Sequence, residues 1–134
     1  MGLDSIIGIA NSALSAQSQR ITLIAQNLAN TDSINSPDGG PYQRRVPVFQ
    51  PAQVGESDGM GVKLAAVVTD NAPPREVFDP SSPFADESGV VKEPAVNPVY
   101  EMVDLMEASR AYQANLSVVQ TANSAALKTI DLLK

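Results

Sequence analysis

The chain has 134 residues, a net charge of −6, no cysteine and no histidine. Three tyrosines, three phenylalanines and no tryptophan leave little material for a large self-contained core. The missing residue types are the commonest nucleophiles, bases and metal ligands, and the acidic balance argues against binding nucleic acid or an anionic membrane.

The first predicted element is a helix over residues 1–30. Its apolar residues recur at intervals of seven, and Leu3, Ala10, Gln17 and Ile24 occupy a second line. The segment has no basic start and no unbroken apolar stretch, so we expect no cleaved signal peptide. A helical hairpin core of the ordinary kind would give the same pattern. The predicted seam of this helix consists of Ile7, Leu14, Ile21, Ile24 and Leu28.

Residues 31–96 are predicted to form an insert rich in proline and glycine. Alternating residues in 42–50 and 62–69 predict two strands that pair as a hairpin across a turn-rich acidic connection, and Pro47 limits the first strand to a sheet edge. Two shorter strands are expected at 75–78 and 90–92. The loops between them either contact partners or are merely exposed. The longest apolar run, Leu64 to Val68, is too short to span a bilayer.

The last predicted element is a helix over residues 97–134. Asn97 is suited to accept from the first free backbone amides, and Pro98 suits the first helical position. A helix of this length would measure about 50 Å, too long for the interior of a small globule, so it needs a partner. The sequence predicts pairing with the first helix. The predicted seam of the last helix consists of Met102, Leu105, Tyr112, Leu116, Val119, Ala126, Ile130 and Leu133.

Candidate chemistry is sparse. Glu101, Asp104 and Glu107 stand three residues apart and could hold a cation or supply an acid and a base, but a solvated first turn favoured by the helix dipole is the preferred interpretation. Arg110 is expected to pair with Glu107 or Asp104 of its own helix, with an acid or a helix end of a neighbouring molecule as the alternative. We expect no enzyme activity, no metal and no cofactor.

The surfaces of both terminal helices are unusually poor in charge. Residues 1–30 contain only Asp4 and Arg20 as charged side chains, and residues 112–127 contain none. Because exposed coiled coils usually carry Glu and Lys outside their seam, this composition indicates helices surrounded by other helices. The predicted fold is mainly α with a small β insert: an antiparallel, coiled-coil-like helix pair flanked by a β-hairpin and loops. The isolated chain is expected to be marginally stable or partly disordered, and to become ordered when it binds neighbours.

Two runs of sequence carry a family resemblance. The first extends from Ala10 through Arg20 to Asn30 and ends in Ile24-Ala25-Gln26-Asn27-Leu28-Ala29-Asn30, and the second extends from Glu101 to Asn115. Both resemble the two terminal signatures of bacterial flagellar axial proteins, which include rod, hook and hook-junction subunits. The chain length and the run Pro37-Asp38-Gly39 are most similar to subunits of the proximal rod.

The resemblance implies a structural subunit of the flagellar basal-body rod, exported by the flagellar type III system and polymerising through its terminal helices to help transmit motor torque. Implied partners are other rod proteins, further copies of the chain, and the membrane-ring and export-gate proteins, in a rod that spans the periplasm. No membrane span is implied. Alternatives are another axial or rod-adaptor component, or a non-flagellar helical-hairpin adaptor or chaperone. The polar residues carried over from the family motifs are Gln17, Arg20, Asn27, Asn30, Arg110, Gln113 and Asn115.

Overall fold

The computed structural model of the chain describes residues 2–56 and 59–134; residue 1 and part of the predicted acidic connection lie outside the described residues. In chain order the elements are α1 (Leu3–Ala29), β1 (Arg45–Gln53), β2 (Met60–Thr69), β3 (Arg75–Phe78), β4 (Val90–Glu93) and α2 (Pro98–Leu132). The predicted fold class is confirmed: two long terminal helices pack together, and the segment between them forms two small antiparallel hairpins.

The helix pair is antiparallel, and local sequence signals fix where α2 begins. The Asn97 side chain accepts a hydrogen bond from the backbone N–H of Val99 at 3.0 Å, and Pro98 occupies the first helical turn, as predicted. The end of α1 meets the start of α2 where Asn27 contacts Glu101. Because α2 has 35 residues and α1 has 27, the last turns of α2 extend beyond the start of α1. We call residues 126–133 the overhang.

The line of contact within the pair is rotated relative to the predicted seam. On α2 the buried positions are Glu101, Ala108 and Ala122, which follow a seven-residue period, and Ala108 is fully buried. Small alanine side chains let the helix axes approach closely, which a pattern of large apolar residues does not reveal. Four residues of the predicted seam are instead exposed in the single chain: Met102, Leu116, Ile130 and Leu133.

On α1 the buried line also differs from the most prominent heptad. On α1, Ala10 and Ile24 are buried. On α2, the predicted seam residues Leu105, Tyr112 and Val119 are half-buried. The remaining predicted seam residues of α1 lie at the edge of the pair, where each keeps part of its side chain exposed: Ile7, Leu14, Ile21 and Leu28.

A two-stranded ribbon, β1 and β2, packs along α1. Its register runs from Arg45 opposite Thr69 to Gln53 opposite Met60, with a bulge between Val48 and Phe49. At the far end the backbone N–H of Val62 donates to the hydroxyl of Ser12 on α1, at 3.1 Å. β1 begins three residues later than the predicted strand, because Tyr42 turns away from the ribbon toward α1. The strand also ends later than predicted, at Gln53.

Two glycines allow the ribbon to lie so close to the helix. A Cβ at Gly8 would come within 2.5 Å of Val54 Cγ1, and a Cβ at Gly61 would come within 2.4 Å of the Ser12 hydroxyl oxygen. Val54 therefore packs against both glycines, in space that the side chain of any other residue at position 8 or 61 would fill. The second hairpin, β3 with β4, pairs Arg75 opposite Glu93 through to Phe78 opposite Val90, close to the predicted positions.

Candidate functional site

A polar junction joins α1, α2 and the base of the ribbon. Its centre is Asn27, which is 1% exposed. Its amide nitrogen donates to the carbonyl of Arg45 at 2.9 Å and to a carboxylate oxygen of Glu101 at 3.3 Å. Its amide oxygen accepts from the Tyr42 hydroxyl at 2.8 Å and from the backbone N–H of Arg45 at 2.9 Å. One side chain thus satisfies polar groups from three segments.

Glu101 is the charged member of the junction, and the prediction that it belongs to a solvated first turn is wrong. The residue is 1% exposed, and its carboxylate forms an ion pair with the guanidinium of Arg44. Arg44 also lies 3.5 Å from Asp104 and 3.9 Å from Asp70. The buried negative charge is compensated, which is the condition under which a carboxylate can be buried without a large penalty.

The other two acids of the predicted triplet are also occupied. The guanidinium of Arg20 on α1 lies 3.8 Å from Asp104 and 3.7 Å from Glu107. The triplet therefore ties α2 to α1 and to the loop that precedes β1. Within the described residues no group of three or more acidic side chains is arranged to hold a metal ion.

Tyr42 is the residue of the junction whose titration is perturbed. Burial raises the pKa of its hydroxyl above the usual value of 10.0, opposed by the positive charge of Arg45 and reinforced by the negative charge of Glu101. The protonated hydroxyl is also the form that donates to Asn27. The junction is built to hold elements together, since every polar group described here has a partner.

The motif residues of the sequence prediction occupy different environments. Arg20 and Asn27 make the contacts given above, and Asn30 donates to the carbonyl of Gln26 within α1. Asn115 is half-buried in the helix pair and donates to the carbonyl of Ala111. The side-chain oxygen of Gln17 is buried without a hydrogen-bond partner among the described residues.

Arg110 and Gln113 face away from the rest of the chain. Both are exposed, and the predicted pairing of Arg110 with Asp104 or Glu107 is not formed; both acids instead contact Arg20 of α1. Arg110 has no ion pair in the described part of the chain. It lies on the surface of α2 opposite α1, where a neighbouring molecule has access to it.

Exposed apolar side chains are concentrated on α2. One group, the outer stripe, lies on the face of α2 turned away from α1 and comprises Val99, Val103 and Met106, with Met102 beside it. The second group is the overhang, whose exposed apolar residues are Leu127, Ile130, Leu132 and Leu133. Exposed patches of this kind mark interaction surfaces in soluble proteins.

A shallow apolar groove lies next to the overhang. It has a volume of about 410 Å³ and is lined on one side by Leu3 and Ile6 of α1 and on the other by Val118, Ala122 and Ala125 of α2. No helix in the described ranges is both long and apolar enough to cross a lipid bilayer.

The sequence alone missed Tyr42 and Arg44 as functional residues. Both precede β1 in a stretch that resembles the start of an ordinary strand, and their partners lie far away in sequence: 15 residues separate Tyr42 from Asn27, and 57 separate Arg44 from Glu101. The one available signal was the position of Asn27 inside a family motif without an obvious local role.

Comparison with known proteins gives a consistent result. A family model described as flagellar basal body rod FlgEFG protein C-terminal matches residues 87–132. The flagellar basal-body rod proteins FlgC of Salmonella typhimurium and Yersinia enterocolitica are each 50% identical to the chain over 133 residues, which cover 98% of both sequences. FlgC of Borreliella burgdorferi is 38% identical over 141 residues, covering 92% of this chain and 93% of its own length.

Proposed function

Because this chain belongs to the family of the flagellar basal-body rod protein FlgC and is a structural subunit of the rod, we propose that it assembles through its terminal helices. The observation that carries the proposal is the uncovered apolar surface of α2, in a helix pair whose residues 1–30 contain two charged side chains and whose residues 112–127 contain none. A helix pair that exposes such surfaces is stabilised by burial against neighbouring helices.

The proposed partners are other rod proteins and further copies of this chain, with the membrane-ring and export-gate proteins as the candidates at the base of the rod. The helix pair would form the inner wall of the rod, and the two hairpins would lie outside it. The division into an axial helix over 1–30, an insert over 31–96 and an axial helix over 97–134 belongs to the same proposal. We also propose that the subunit resides in the part of the basal body that spans the periplasm, and that the flagellar type III system exports it without a cleaved signal peptide.

A non-catalytic, mechanical role is part of the proposal: the subunit would pass motor torque from ring to hook. The junction around Asn27 and Glu101 suits this role, since it braces both helices and the ribbon with charge-assisted hydrogen bonds. Shear between the helices would have to break these buried contacts together.

An experiment on the overhang tests the proposal. Ile130→Asp places a charge on an exposed apolar position of the overhang, so it should block incorporation into basal bodies while leaving the unfolding transition of the purified chain unchanged. Asn71→Asp adds the same charge in an exposed loop and should incorporate normally.

The measurement is the amount of tagged chain that copurifies with basal bodies isolated from the bacterium that encodes it, with swimming motility as a second readout. Normal incorporation of the Ile130→Asp variant would contradict assembly through the overhang. A chain absent from basal bodies even without substitution would favour the soluble adaptor alternative.

A further inference from the structure

The two edges of the ribbon differ in how their backbone groups are occupied. On β1, Arg45 points its N–H and C=O away from β2, and both groups bind the side chain of Asn27. Because every second residue of a strand points the same way, Pro47 and Pro51 also face outward, and neither has an N–H to donate. The outer edge of β1 is therefore closed to a further strand.

The outer edge of β2 is open near the base of the ribbon. Residues directly opposite each other in an antiparallel pair face the same way, so Thr69, opposite Arg45, and Val67, opposite Pro47, point outward. Their backbone groups bind no described residue, because the ribbon has only two strands. Val67 and its neighbour Val68 are each 45% exposed. An apolar edge with unpaired backbone groups is a template for another strand.

The second hairpin has an open edge of the same kind on β3. The N–H of Asp79 donates to the carbonyl of Gly89 at 2.9 Å, which continues the ladder past Phe78, so Phe78 and Glu76 face away from β4. Their backbone groups also bind no described residue, and Phe78 is 72% exposed. No Cα atom of β3 or β4 lies within 8 Å of the described residues of the helices or the ribbon. A two-stranded hairpin in this position is marginally stable.

The two open edges of one chain are prevented from pairing with each other. Between Asp70 and Arg75 lie four residues, of which Ala72 and Pro73 each precede a proline. Folding β3 back onto β2 would need a tight loop built around a type I turn, whose helical dihedral angles are disfavoured before proline. The two hairpins accordingly form separate sheets. Two copies of the chain do not share this restriction.

We propose that the open edge of β2 pairs with β3 of a second copy of this chain. The strands would be antiparallel, with Val67 opposite Phe78 and Thr69 opposite Glu76 of that copy. The contact would join two marginal hairpins into one four-stranded sheet. Each copy offers one edge of each kind, so the same contact can repeat from copy to copy. The proposal rests on assembly into the rod and names the partner of a surface outside the helices.

The register follows from the direction of the backbone groups and from charge. Outward residues must face outward residues, so the possible registers differ by steps of two residues. The proposed register covers the exposed apolar side chains with each other and places Asp70 opposite Arg75, an arrangement of opposite charges that stabilises a strand pair. A shift by two residues in either direction would instead place Arg75 or Asp79 opposite the exposed side chain of Val68.

Cross-linking tests the contact directly, since the chain has no cysteine of its own. Val68→Cys and Val77→Cys chains with different tags are expressed together in the bacterium, and basal bodies are isolated and oxidised. The proposed register makes these two positions a non-hydrogen-bonded pair with Cα atoms about 4.5 Å apart, within disulfide range, so mixed dimers are expected. The matched control pairs Val77→Cys with Val48→Cys, a similarly exposed site on β1, and should give no mixed dimer. Oxidation of the purified chains, mixed in solution, repeats the test outside the basal body.

Two substitutions test which groups form the contact. Val67→Pro, added to the Val68→Cys chain, closes the edge of β2 as the prolines close β1, and it removes an N–H that takes no part in the ladder. Phe78→Ala, added to the Val77→Cys chain, removes the exposed ring. Each should slow mixed-dimer formation by the purified chains about tenfold. Phe84→Ala, at an exposed ring outside the strands, should leave the rate unchanged, and urea unfolding of every variant checks the fold.

The outcomes separate this proposal from the function it rests on. Basal bodies that contain both cysteine variants but no mixed dimer would overturn the contact and leave the rod function intact. Mixed dimers formed equally well by the control pair would overturn it too, since they would reflect random collision. A disulfide from the Val68→Cys chain to a different basal-body protein, in place of the mixed dimer, would overturn the choice of a second copy. Absence of the unsubstituted chain from basal bodies would overturn the rod function, and the purified chains would then decide the contact.

Discussion

Asn27→Ala should lower the free energy of unfolding of the isolated chain by about 3 kcal/mol. The substitution removes four hydrogen bonds and leaves the backbone N–H and carbonyl of Arg45 without their partners. Each bond contributes about 0.5–1.5 kcal/mol. Four such bonds sum to about 2–6 kcal/mol. Water can reach part of the site because Arg45 is exposed, and alanine is the better helix former by about 0.6 kcal/mol, so the net cost lies in the lower half of that range, at about 3 kcal/mol.

The assay is urea unfolding followed by far-ultraviolet circular dichroism, supported by thermal unfolding, where a loss of this size should lower the midpoint by about 10 °C. Asn11→Ala is the matched control, since Asn11 is exposed on the same helix and forms no side-chain hydrogen bond within the described residues. It should be neutral or slightly stabilising because only the helix propensity changes.

Asn27→Asp sharpens the test because it preserves the shape of the side chain. It keeps both accepted hydrogen bonds but places a carboxylate oxygen where the amide donated, against the Arg45 carbonyl and the Glu101 carboxylate. It should therefore be at least as destabilising as alanine at neutral pH. If Asn27→Ala cost less than about 1 kcal/mol relative to Asn11→Ala, the reasoning that the junction braces the fold would be refuted.

Three further predictions concern single sites. The raised pKa of Tyr42 means that the folded state holds its proton more tightly than the unfolded state, so this contribution to stability is complete below pH 10.0 and is lost as pH rises through the folded pKa. Above pH 10.0 the urea midpoint should therefore fall more steeply with pH in the parent chain than in Tyr42→Phe, and equal slopes would contradict this. Gln17→Met should raise the free energy of unfolding by about 1 kcal/mol, because it removes a buried oxygen that lacks a hydrogen-bond partner among the described residues, whereas Gln26→Met at an exposed position should change little. Gly8→Ala should lower the free energy of unfolding by about 1–3 kcal/mol despite the higher helix propensity of alanine, because the new Cβ would meet Val54. The double variant with Val54→Ala should recover most of that loss. A gain in stability from Gly8→Ala alone would show that the ribbon does not pack tightly on α1.

Much of the fold followed from local signals in the chain. The heptad spacing of the two ends, the Asn97-Pro98 start of α2 and the confinement of the prolines to the middle predicted two long helices around a small β insert. These features act over a few residues, through helix capping, proline geometry and the repeat of the helix, and so they are readable without coordinates.

The tertiary structure alone decided which faces of the helices meet and which acids are buried. Several lines of α1 and α2 carry apolar or small residues, and periodicity does not say which of them faces the partner; Ala108 and Ala122 face it, and Met102 does not, because small side chains allow the closest approach. Glu101 resembled a solvated residue because its partners, Arg44 and Asn27, come from distant parts of the chain. Contacts between residues so far apart in sequence depend on how the ribbon folds back onto α1, and no local pattern encodes that placement.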